Sequence, residues 1–392
     1  MNGAPSNQHQ TYWQTLDMWL LGSAVALLML GLVMVMSASV SVAAENFGNP
    51  FHYFFKQLIF VAGGMLLATV VLTIPTEYWQ RSGWSLLLLS LVLLSLVLIP
   101  GIGKTVNGSS RWLALGPLRL QASEIAKLFL LVYLAGYLVR HADMVRTRIR
   151  GFLRPLLMLC LAGFLLLLEP DFGAAAILLL TSMAMMFLGG VRFWQFFLLS
   201  GAMAAAGVAL IVTSPYRMQR LTAFLDPWAD PFDSGFQLTQ SLIAVGSGAV
   251  TGTGLGGSVQ KLFYLPEAHT DFLFAVLAEE LGLLGVTAVL VLYGVLVWRA
   301  FAAGNAATRA GSMFGAYLAG GIGVWFGLQA AVNIAVNMGV LPTKGLTLPL
   351  LSAGGTSTVV LCVAIGLLLR IGHESHIASV QALPKRARRM PA

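Results

Sequence analysis

The stretch FLFAVLAEELGLLGVTAVLVLYGVLVW, residues 272–298, decides the fold class, because only two of its 27 residues, Glu279 and Glu280, are charged. About 20 consecutive apolar residues suffice to cross the hydrocarbon layer of a membrane as an α-helix. The apolar run is continuous rather than alternating, which argues against a β-barrel strand, and a helix satisfies its own backbone hydrogen bonds in lipid. The stretch therefore predicts a membrane-spanning helix.

Similar apolar runs recur along nearly the whole chain of 392 residues, which is 58% hydrophobic and only 10% charged. This composition is too apolar for a water-soluble core. We predict an all-α polytopic membrane protein with about ten transmembrane helices, at residues 16–36, 54–74, 84–99, 125–139, 156–168, 174–188, 196–212, 272–298, 313–336 and 356–369. The fifth and sixth spans are short and flank EPDFG, residues 169–173, so this pair could be a hairpin that does not fully cross.

The distribution of Lys and Arg predicts the orientation, because short cytoplasmic loops carry the excess of positive charge. Basic residues crowd the connection 140–154 and the tail 370–392, and ten spans put both segments on one side. We therefore expect one membrane domain over residues 1–392, with a cytoplasmic N-terminal segment 1–15, a transmembrane core 16–369, a long periplasmic loop 213–270 and a basic cytoplasmic tail. The net charge of +8 is mostly a consequence of this topology, the basic tail suits an anionic inner leaflet, and nucleic-acid binding is not indicated.

The predicted external face carries more cations than this orientation rule leads us to expect. They are Lys56, Lys104, Arg111, Arg119, Lys127, Arg217, Arg220, Lys261 and Lys344. Two explanations stay open. The cations pair with external carboxylates, or they bind an anionic ligand such as the pyrophosphate of a lipid-linked substrate.

A polar cluster, PEAHTDF at residues 266–272, meets the outer end of the eighth span. Asp271 could cap the helix that follows, or it could act as a general base whose apolar surroundings raise its pKa. Glu279 and Glu280 lie roughly 12 to 14 Å deeper along the helix axis, which is too far to share a proton with Asp271. Helix packing through buried hydrogen bonds is the favoured role for both.

Other motifs are ambiguous or weak. Glu124 and Lys127 stand three residues apart and can meet on one helix face, either as a structural ion pair or as part of a site. GTGLGG, residues 252–257, matches the dinucleotide pattern, but no strand precedes it. His269 and Asp271 have a spacing that a metal could use, without a third convincing ligand. The sequence requires no cofactor, although Mg²⁺ or Mn²⁺ could assist a bound pyrophosphate through one or two carboxylates.

Several long strings in the external loops are specific enough to indicate a family. They are DPWADPF (226–232), GFQLTQS (235–241), YLPEAHTDF (264–272) and LPTKGLTLP (341–349), supported by QASEIAK (121–127). From the first span to the tenth the chain resembles the SEDS proteins, named for shape, elongation, division and sporulation. The strings EAH (267–269) and TKG (343–345) resemble the division branch rather than the elongation branch. Ala122 and Ala353 depart from the family pattern, which often has Pro and Tyr there.

The resemblance implies a peptidoglycan glycosyltransferase that polymerises lipid II at the outer face of the bacterial inner membrane during septal wall synthesis. It implies a partner, the class B penicillin-binding transpeptidase FtsI, and regulation by FtsQ, FtsL and FtsB. The essential aspartate of the family corresponds to Asp271. Our hypothesis is that Asp271 deprotonates the acceptor hydroxyl while cations stabilise the departing undecaprenyl pyrophosphate. The candidates for this substrate contact are Arg111, Lys127, Arg217 and Lys344, together with Glu124 and His269.

Two other functions compete with this interpretation. About ten spans with charged residues near the bilayer would also suit a lipid II flippase, which predicts inward-open and outward-open states. A non-catalytic scaffold of the division machinery predicts that substitution of Asp271 leaves function intact. The polar residues are densest in the external loops rather than at mid-membrane, which argues against the flippase.

Overall fold

The computed structural model describes residues 15–106, 109–116, 118–233, 235–343 and 345–382. In chain order its helices are α1 (Met18–Phe47), α2 (His52–Thr73), α3 (Thr76–Arg81), α4 (Gly83–Val97), α5 (Ala122–Arg140), α6 (Ala142–Thr147), α7 (Ile149–Leu168), α8 (Phe172–Leu188), α9 (Phe193–Val212), α10 (Pro215–Leu225), α11 (Phe236–Ser247), α12 (Leu273–Arg309), α13 (Met313–Asn337) and α14 (Gly355–Ala382).

Within these described ranges, seven helices are long and apolar enough to cross a membrane, namely α1, α2, α5, α7, α12, α13 and α14. Three further apolar segments are shorter, at Gly83–Val97 in α4, Phe172–Leu188 in α8 and Phe193–Ala209 in α9. Each of the ten predicted spans falls on one of these helices. The predicted fold class, an all-α polytopic membrane protein, is therefore confirmed.

The predicted shortness of the fifth span is wrong. Helix α7 has 20 residues and begins at Ile149, seven residues before the predicted start of that span. Arg150 and Arg154 break the apolar run in the sequence, but both are exposed, whereas Gly151, Phe152 and Pro155 on the same two turns are buried. A hydropathy pattern counts such arginines against a span, although they lie on an outer face of the helix. Helix α8 does remain short, at 17 residues.

The segment predicted as an external loop between the third and fourth spans contains a small antiparallel sheet of β1 (Gly103–Val106), β2 (Ser109–Leu115) and β3 (Leu118–Gln121). Trp112 on β2 pairs with Lys104 on β1 and with Gln121 on β3. Strand β3 runs directly into α5. The hydroxyl of Thr356 in α14 accepts a hydrogen bond from the amide of Gln121 at 3.1 Å. The sheet is thereby fixed over one end of the helix bundle.

The predicted long loop 213–270 contains α10 and α11, followed by a segment that inserts into a break in α12. The break is at Gly282, whose backbone lies at φ 61° and ψ −161°. The amides of Thr253 and Gly254 donate to the carbonyls of Glu279 and Glu280 at 2.9 and 3.0 Å. In lipid an unsatisfied backbone group is costly, so the inserted segment replaces the hydrogen bonds that the break removes.

The carboxylates beside this break are buried and fully engaged by the protein. Glu279 accepts hydrogen bonds from the hydroxyl of Ser258 at 2.5 Å and from the amide of Val259 at 2.9 Å. Glu280 forms an ion pair with Lys261 at 2.7 Å, in which the two side chains are 0% and 8% exposed. These contacts give both glutamates the packing role that the sequence favours.

Candidate active site

The functional residues lie where one set of helix ends meets. Helices α5, α8, α12 and α14 begin there, and α7 and α13 end there. Contacts across the junction join Ser123 to Asp171 and Asn337 to Asp271. Because all these contacts connect helix ends, the site belongs to one end of the bundle rather than to its middle.

Asp271 is held in place through its backbone. The N-cap position of α12 is Phe272, so Asp271 is not the capping residue. The carbonyl oxygen of Asp271 accepts hydrogen bonds from the side-chain amides of Asn333 at 2.9 Å and Asn337 at 3.1 Å, both of which belong to α13. Two buried amide donors hold this carbonyl in place, and they thereby fix the backbone from which the carboxyl group of Asp271 projects.

A column of three buried amides on α13 organises the loops around Asp271. Gln329, Asn333 and Asn337 are spaced four residues apart and are 0%, 2% and 0% exposed. Asn333 also donates to the carbonyl of Leu346 at 2.5 Å, and Gln329 donates to the carbonyl of Thr347 at 3.0 Å. One helix face thus holds the loop of Asp271 and the loop 345–347 together. These amides were not predicted from the sequence, although a spacing of four residues in an apolar span indicates a polar face on one helix.

Arg111 and Asp271 converge on the backbone of Gly345. A Cβ atom at Gly345 would lie 3.3 Å from Oδ2 of Asp271 and 3.8 Å from Nη1 of Arg111. Arg111 projects from β2, and its Nη2 donates to the carbonyl oxygen of Pro170 at 2.5 Å. The structure therefore brings two of the predicted site residues together, and the sheet that the sequence analysis missed carries one of them.

The turn between α7 and α8 adds two carboxyl groups to the same region. Asp171 accepts hydrogen bonds from the amide of Ala174 at 3.2 Å and from the hydroxyl of Ser123 at 3.1 Å. Glu169 is 0% exposed, and neither of its carboxyl oxygens has a hydrogen-bond partner among the residues that the structure describes. Burial and, to a smaller extent, the charge of Asp171 raise the pKa of Glu169 to about 8, although the guanidinium of Arg111 opposes both effects.

Glu124 and Lys127 form a buried ion pair one layer away from Gly345. Nζ of Lys127 lies 2.9 Å from Oε1 of Glu124, with side chains 1% and 6% exposed. The same Nζ donates to Oε1 of Gln329 at 3.2 Å and lies 5.2 Å from the ring centroid of Trp325. Lys127 therefore reaches the amide column, which makes it a positioning group in this structure. A direct contact between Lys127 and substrate stays a prediction.

His269 borders Asp271 on the side of α2. Its ring centroid lies 4.5 Å from that of Tyr53, and its carbonyl accepts a hydrogen bond from the amide of Ala353 at 3.0 Å. Burial lowers the pKa of His269, with Glu267 opposing and Lys56 adding to the decrease. The imidazole is therefore neutral at neutral pH and can donate or accept a hydrogen bond without carrying charge.

Two of the predicted site residues, Arg217 and Lys344, have side chains that the structure does not describe. Arg217 lies in α10, but its side chain is outside the part of the chain that the structure describes, and Lys344 lies outside the described residues altogether. Among the residues that the structure does describe, no three His, Cys, Asp or Glu side chains are grouped so that they could hold a metal ion. A divalent cation held jointly by protein and pyrophosphate stays a prediction.

Fold and site together define a polytopic α-helical membrane protein with a buried polar site at one end of its helix bundle. The sequence matches the family described as "Cell cycle protein", the FtsW, RodA and SpoVE family, over residues 18–377. The chain belongs to this family, and the resemblance to SEDS proteins is confirmed.

Two curated relatives are similar over nearly the whole chain. The probable peptidoglycan glycosyltransferase FtsW of Thioalkalivibrio sulfidiphilus is 58% identical over 362 residues, which cover 92% of this chain and 90% of that protein. The probable peptidoglycan glycosyltransferase FtsW of Nitrosococcus halophilus is 59% identical over 364 residues, which cover 93% of this chain and 94% of that protein.

Solved structures share the fold at lower identity. One of them is a chain 30% identical to this one, with a TM-score of 0.76 over 92% of this chain and 98% of that chain. Its structure is described as "Structural coordination of polymerization and crosslinking by a peptidoglycan synthase complex". The rod shape determining protein RodA of Thermus thermophilus is 28% identical, with a TM-score of 0.69 over 93% of this chain and 99% of that chain.

Proposed function

We propose that this chain is a peptidoglycan glycosyltransferase of the FtsW type, which joins lipid II units into glycan strands. The observation that carries the proposal is the convergence of Asp271 and Arg111 on Gly345, because it places a carboxylate base beside a fixed cation. The activity named for the two relatives that are 58% and 59% identical agrees with the sequence prediction and supports the assignment.

The arrangement suits an inverting glycosyl transfer. Asp271 takes the proton from the 4-hydroxyl of the acceptor N-acetylglucosamine as that oxygen attacks the anomeric carbon of the donor N-acetylmuramic acid. The bond from that carbon to the pyrophosphate oxygen breaks, and its electron pair leaves with undecaprenyl pyrophosphate. Arg111 stabilises the charge that develops on this leaving group, since a guanidinium held in a partly dry site acts strongly on a phosphate oxygen.

The site is assigned to the periplasmic face of the inner membrane at the division septum, with both termini in the cytoplasm. The Lys and Arg distribution supports this orientation, and the division branch of the family supports the septum. The similar chain in a peptidoglycan synthase complex supports a transpeptidase partner of the FtsI class. Regulation by FtsQ, FtsL and FtsB rests on the family resemblance alone.

One observation favours the flippase alternative. Helix α12 is broken at Gly282 with a buried ion pair beside the break, and discontinuous helices are typical of transporters. The protein groups at the break already satisfy one another, however, whereas the carboxyl oxygens of Glu169 and the Nε atom of Arg111 are buried with no partner among the residues that the structure describes. The geometry thus supports substrate chemistry at the bundle end better than passage through its middle.

A reaction in detergent separates these functions. The purified chain, in complex with its transpeptidase partner, is incubated with labelled lipid II under conditions that block crosslinking. Detergent micelles do not separate two aqueous compartments, so a flippase has nothing to transport between and leaves lipid II unchanged. A scaffold also leaves lipid II unchanged. Glycan strands that grow with time support the polymerase, and unreacted lipid II with an intact complex contradicts it.

A further inference from the structure

Glu169 is the buried group that the mechanism above does not use. It follows the last residue of α7, and no side chain or backbone group in the described part of the chain forms a hydrogen bond with either of its carboxyl oxygens. Arg111 contacts the same turn through the hydrogen bond from its Nη2 to the Pro170 carbonyl, and its Nε atom is also buried with no partner among the described residues. Two segments that are distant in the sequence thus leave unsatisfied polar groups at one place.

Burial of these polar groups without hydrogen bonds destabilises the folded protein unless a bound ligand supplies the missing partners. A buried polar group without a hydrogen bond costs about 1 to 3 kcal/mol, and native proteins leave few of them. Ionised, Glu169 would also repel the phosphate oxygens that Arg111 is placed to attract. Neutral, the same carboxyl group carries an O–H donor and repels nothing.

The surroundings of Glu169 keep it neutral. Among the residues that the structure describes, the charges that act on Glu169 are Asp171 at the start of α8 and Arg111 on β2. Glu124 and Lys127 on α5 are paired with each other, and Asp271 lies on the other side of Gly345 from this turn. Helices α4 and α13 contribute no acidic or basic side chain. Burial raises the pKa of Glu169 to about 8, so most of the protein carries it protonated at pH 7.

The turn is also next to the proposed reaction centre. A Cβ atom on Gly173 would lie 2.8 Å from the side chain of Leu346, so the loop 345–347 covers this turn on one side. The neighbouring Gly345 in the same loop lies between Asp271 and Arg111. The loop 345–347 therefore lies against Asp271, Arg111 and the turn that carries Glu169, so these groups border one place in the fold.

We propose that Glu169 is a substrate-binding residue of this site, which in its neutral form donates a hydrogen bond to an oxygen of the donor pyrophosphate beside Arg111. This inference rests on the proposed function, because it assigns the leaving group to the Arg111 side and the acceptor hydroxyl to the Asp271 side. Glu169 then stabilises charge on the departing pyrophosphate without adding charge of its own.

The test compares binding of undecaprenyl pyrophosphate by the full chain in detergent for the native protein, Glu169→Gln and Glu169→Leu, with the exposed Glu45→Leu as a matched control. Glutamine keeps a donor at the same place and should bind within about threefold of the native protein, while leucine has no donor and should bind about tenfold or more weakly. An unfolding temperature of the leucine variant at least as high as that of the native protein shows that the loss is local.

A pH series adds a readout that a purely structural role would not move. Binding by the native protein should weaken from pH 7 to pH 9 as Glu169 ionises, and Glu169→Gln should lack that part of the decrease. Titration of the pyrophosphate itself affects both proteins equally. Native-like binding by Glu169→Leu, or an identical pH dependence for the native protein and Glu169→Gln, overturns the inference.

These outcomes are separable from the polymerase assignment. If the native complex makes no glycan strands but binds undecaprenyl pyrophosphate in the predicted order, the proposed function fails and the binding role of Glu169 stands. If strands form and depend on Asp271, while the Glu169 variants bind and polymerise normally, only the inference about Glu169 fails.

Discussion

The side-chain amide of Asn333 donates one hydrogen bond to the carbonyl of Asp271 at 2.9 Å and another to the carbonyl of Leu346 at 2.5 Å. These two acceptors belong to loops that are distant in the sequence. A single residue on α13 therefore sets the distance between the proposed base and the loop that carries Gly345.

Replacement of Asn333 should lower turnover more than it lowers folding. Asn333→Ala removes both hydrogen bonds, and we expect polymerisation to decrease by about tenfold to a hundredfold, because misplacement of a base is costly for proton transfer. The measurement is the initial rate of strand formation at equal amounts of folded protein. The exposed Asn305 on α12 provides the matched control, and Asn305→Ala should keep the native rate. A native rate for Asn333→Ala would mean that the amide column does not position the proposed base.

Arg111 should act through both its charge and its shape. Arg111→Ala loses the charge and the bond to Pro170, so we expect the KM for lipid II to rise and the rate to decrease by about tenfold or more. Arg111→Lys should recover only part of this loss, since lysine lacks the guanidinium fork. Arg81→Ala is the control, because Arg81 is 71% exposed and pairs only with Glu77 in the same helix. Full activity of Arg111→Ala would contradict the role.

The buried ion pair beside the break in α12 should matter for stability. Lys261→Met leaves the carboxylate of Glu280 buried and unpaired, which costs about 3 to 5 kcal/mol. The double variant Lys261→Met with Glu280→Gln should recover much of this loss, because no charge then remains unpaired. Thermal unfolding in detergent measures both effects. Arg81→Ala at the exposed pair should change stability by less than about 1 kcal/mol, and an equally small effect for Lys261→Met would be inconsistent with the buried pair.

Glu169 should make the folded protein less stable as the pH rises. Its folded-state pKa of about 8 lies above the ordinary value of 4.5, so the unfolded chain loses its proton first. The destabilisation is absent below pH 4.5, grows between pH 4.5 and 8, and is constant above pH 8. Glu169→Gln should therefore raise the unfolding temperature more at pH 8 than at pH 5. An equal change at both values would mean that the pKa of Glu169 is not raised.

The sequence predicts the ten spans because apolar run length is a direct consequence of the lipid environment. It also points to Asp271, Arg111, Glu124 and Lys127. Hydropathy gives no signal for the sheet that carries Arg111, although Asn107-Gly108 is a typical hairpin pair in a segment otherwise predicted as a loop.

The rest of the site could not be predicted because it depends on tertiary contacts. Glu169 counts as one of several external carboxylates in the sequence, and only the packing of the α7–α8 turn against β2 shows that it is buried without a partner. The role of the amide column is visible only in the structure, where Gln329 and Asn333 donate hydrogen bonds to carbonyls of two loops that are distant in the sequence.

The most direct test of the central claim compares strand formation from labelled lipid II by the native chain with its transpeptidase partner, by Asp271→Asn and by Asp143→Asn. Asn keeps the size of the side chain but cannot accept a proton, and Asp143 is an exposed carboxylate in α6. All three proteins are compared at equal folding and complex formation. We expect glycan strands from the native protein and Asp143→Asn and almost none from Asp271→Asn. Equal strands from all three would contradict it, because the base would then lie elsewhere.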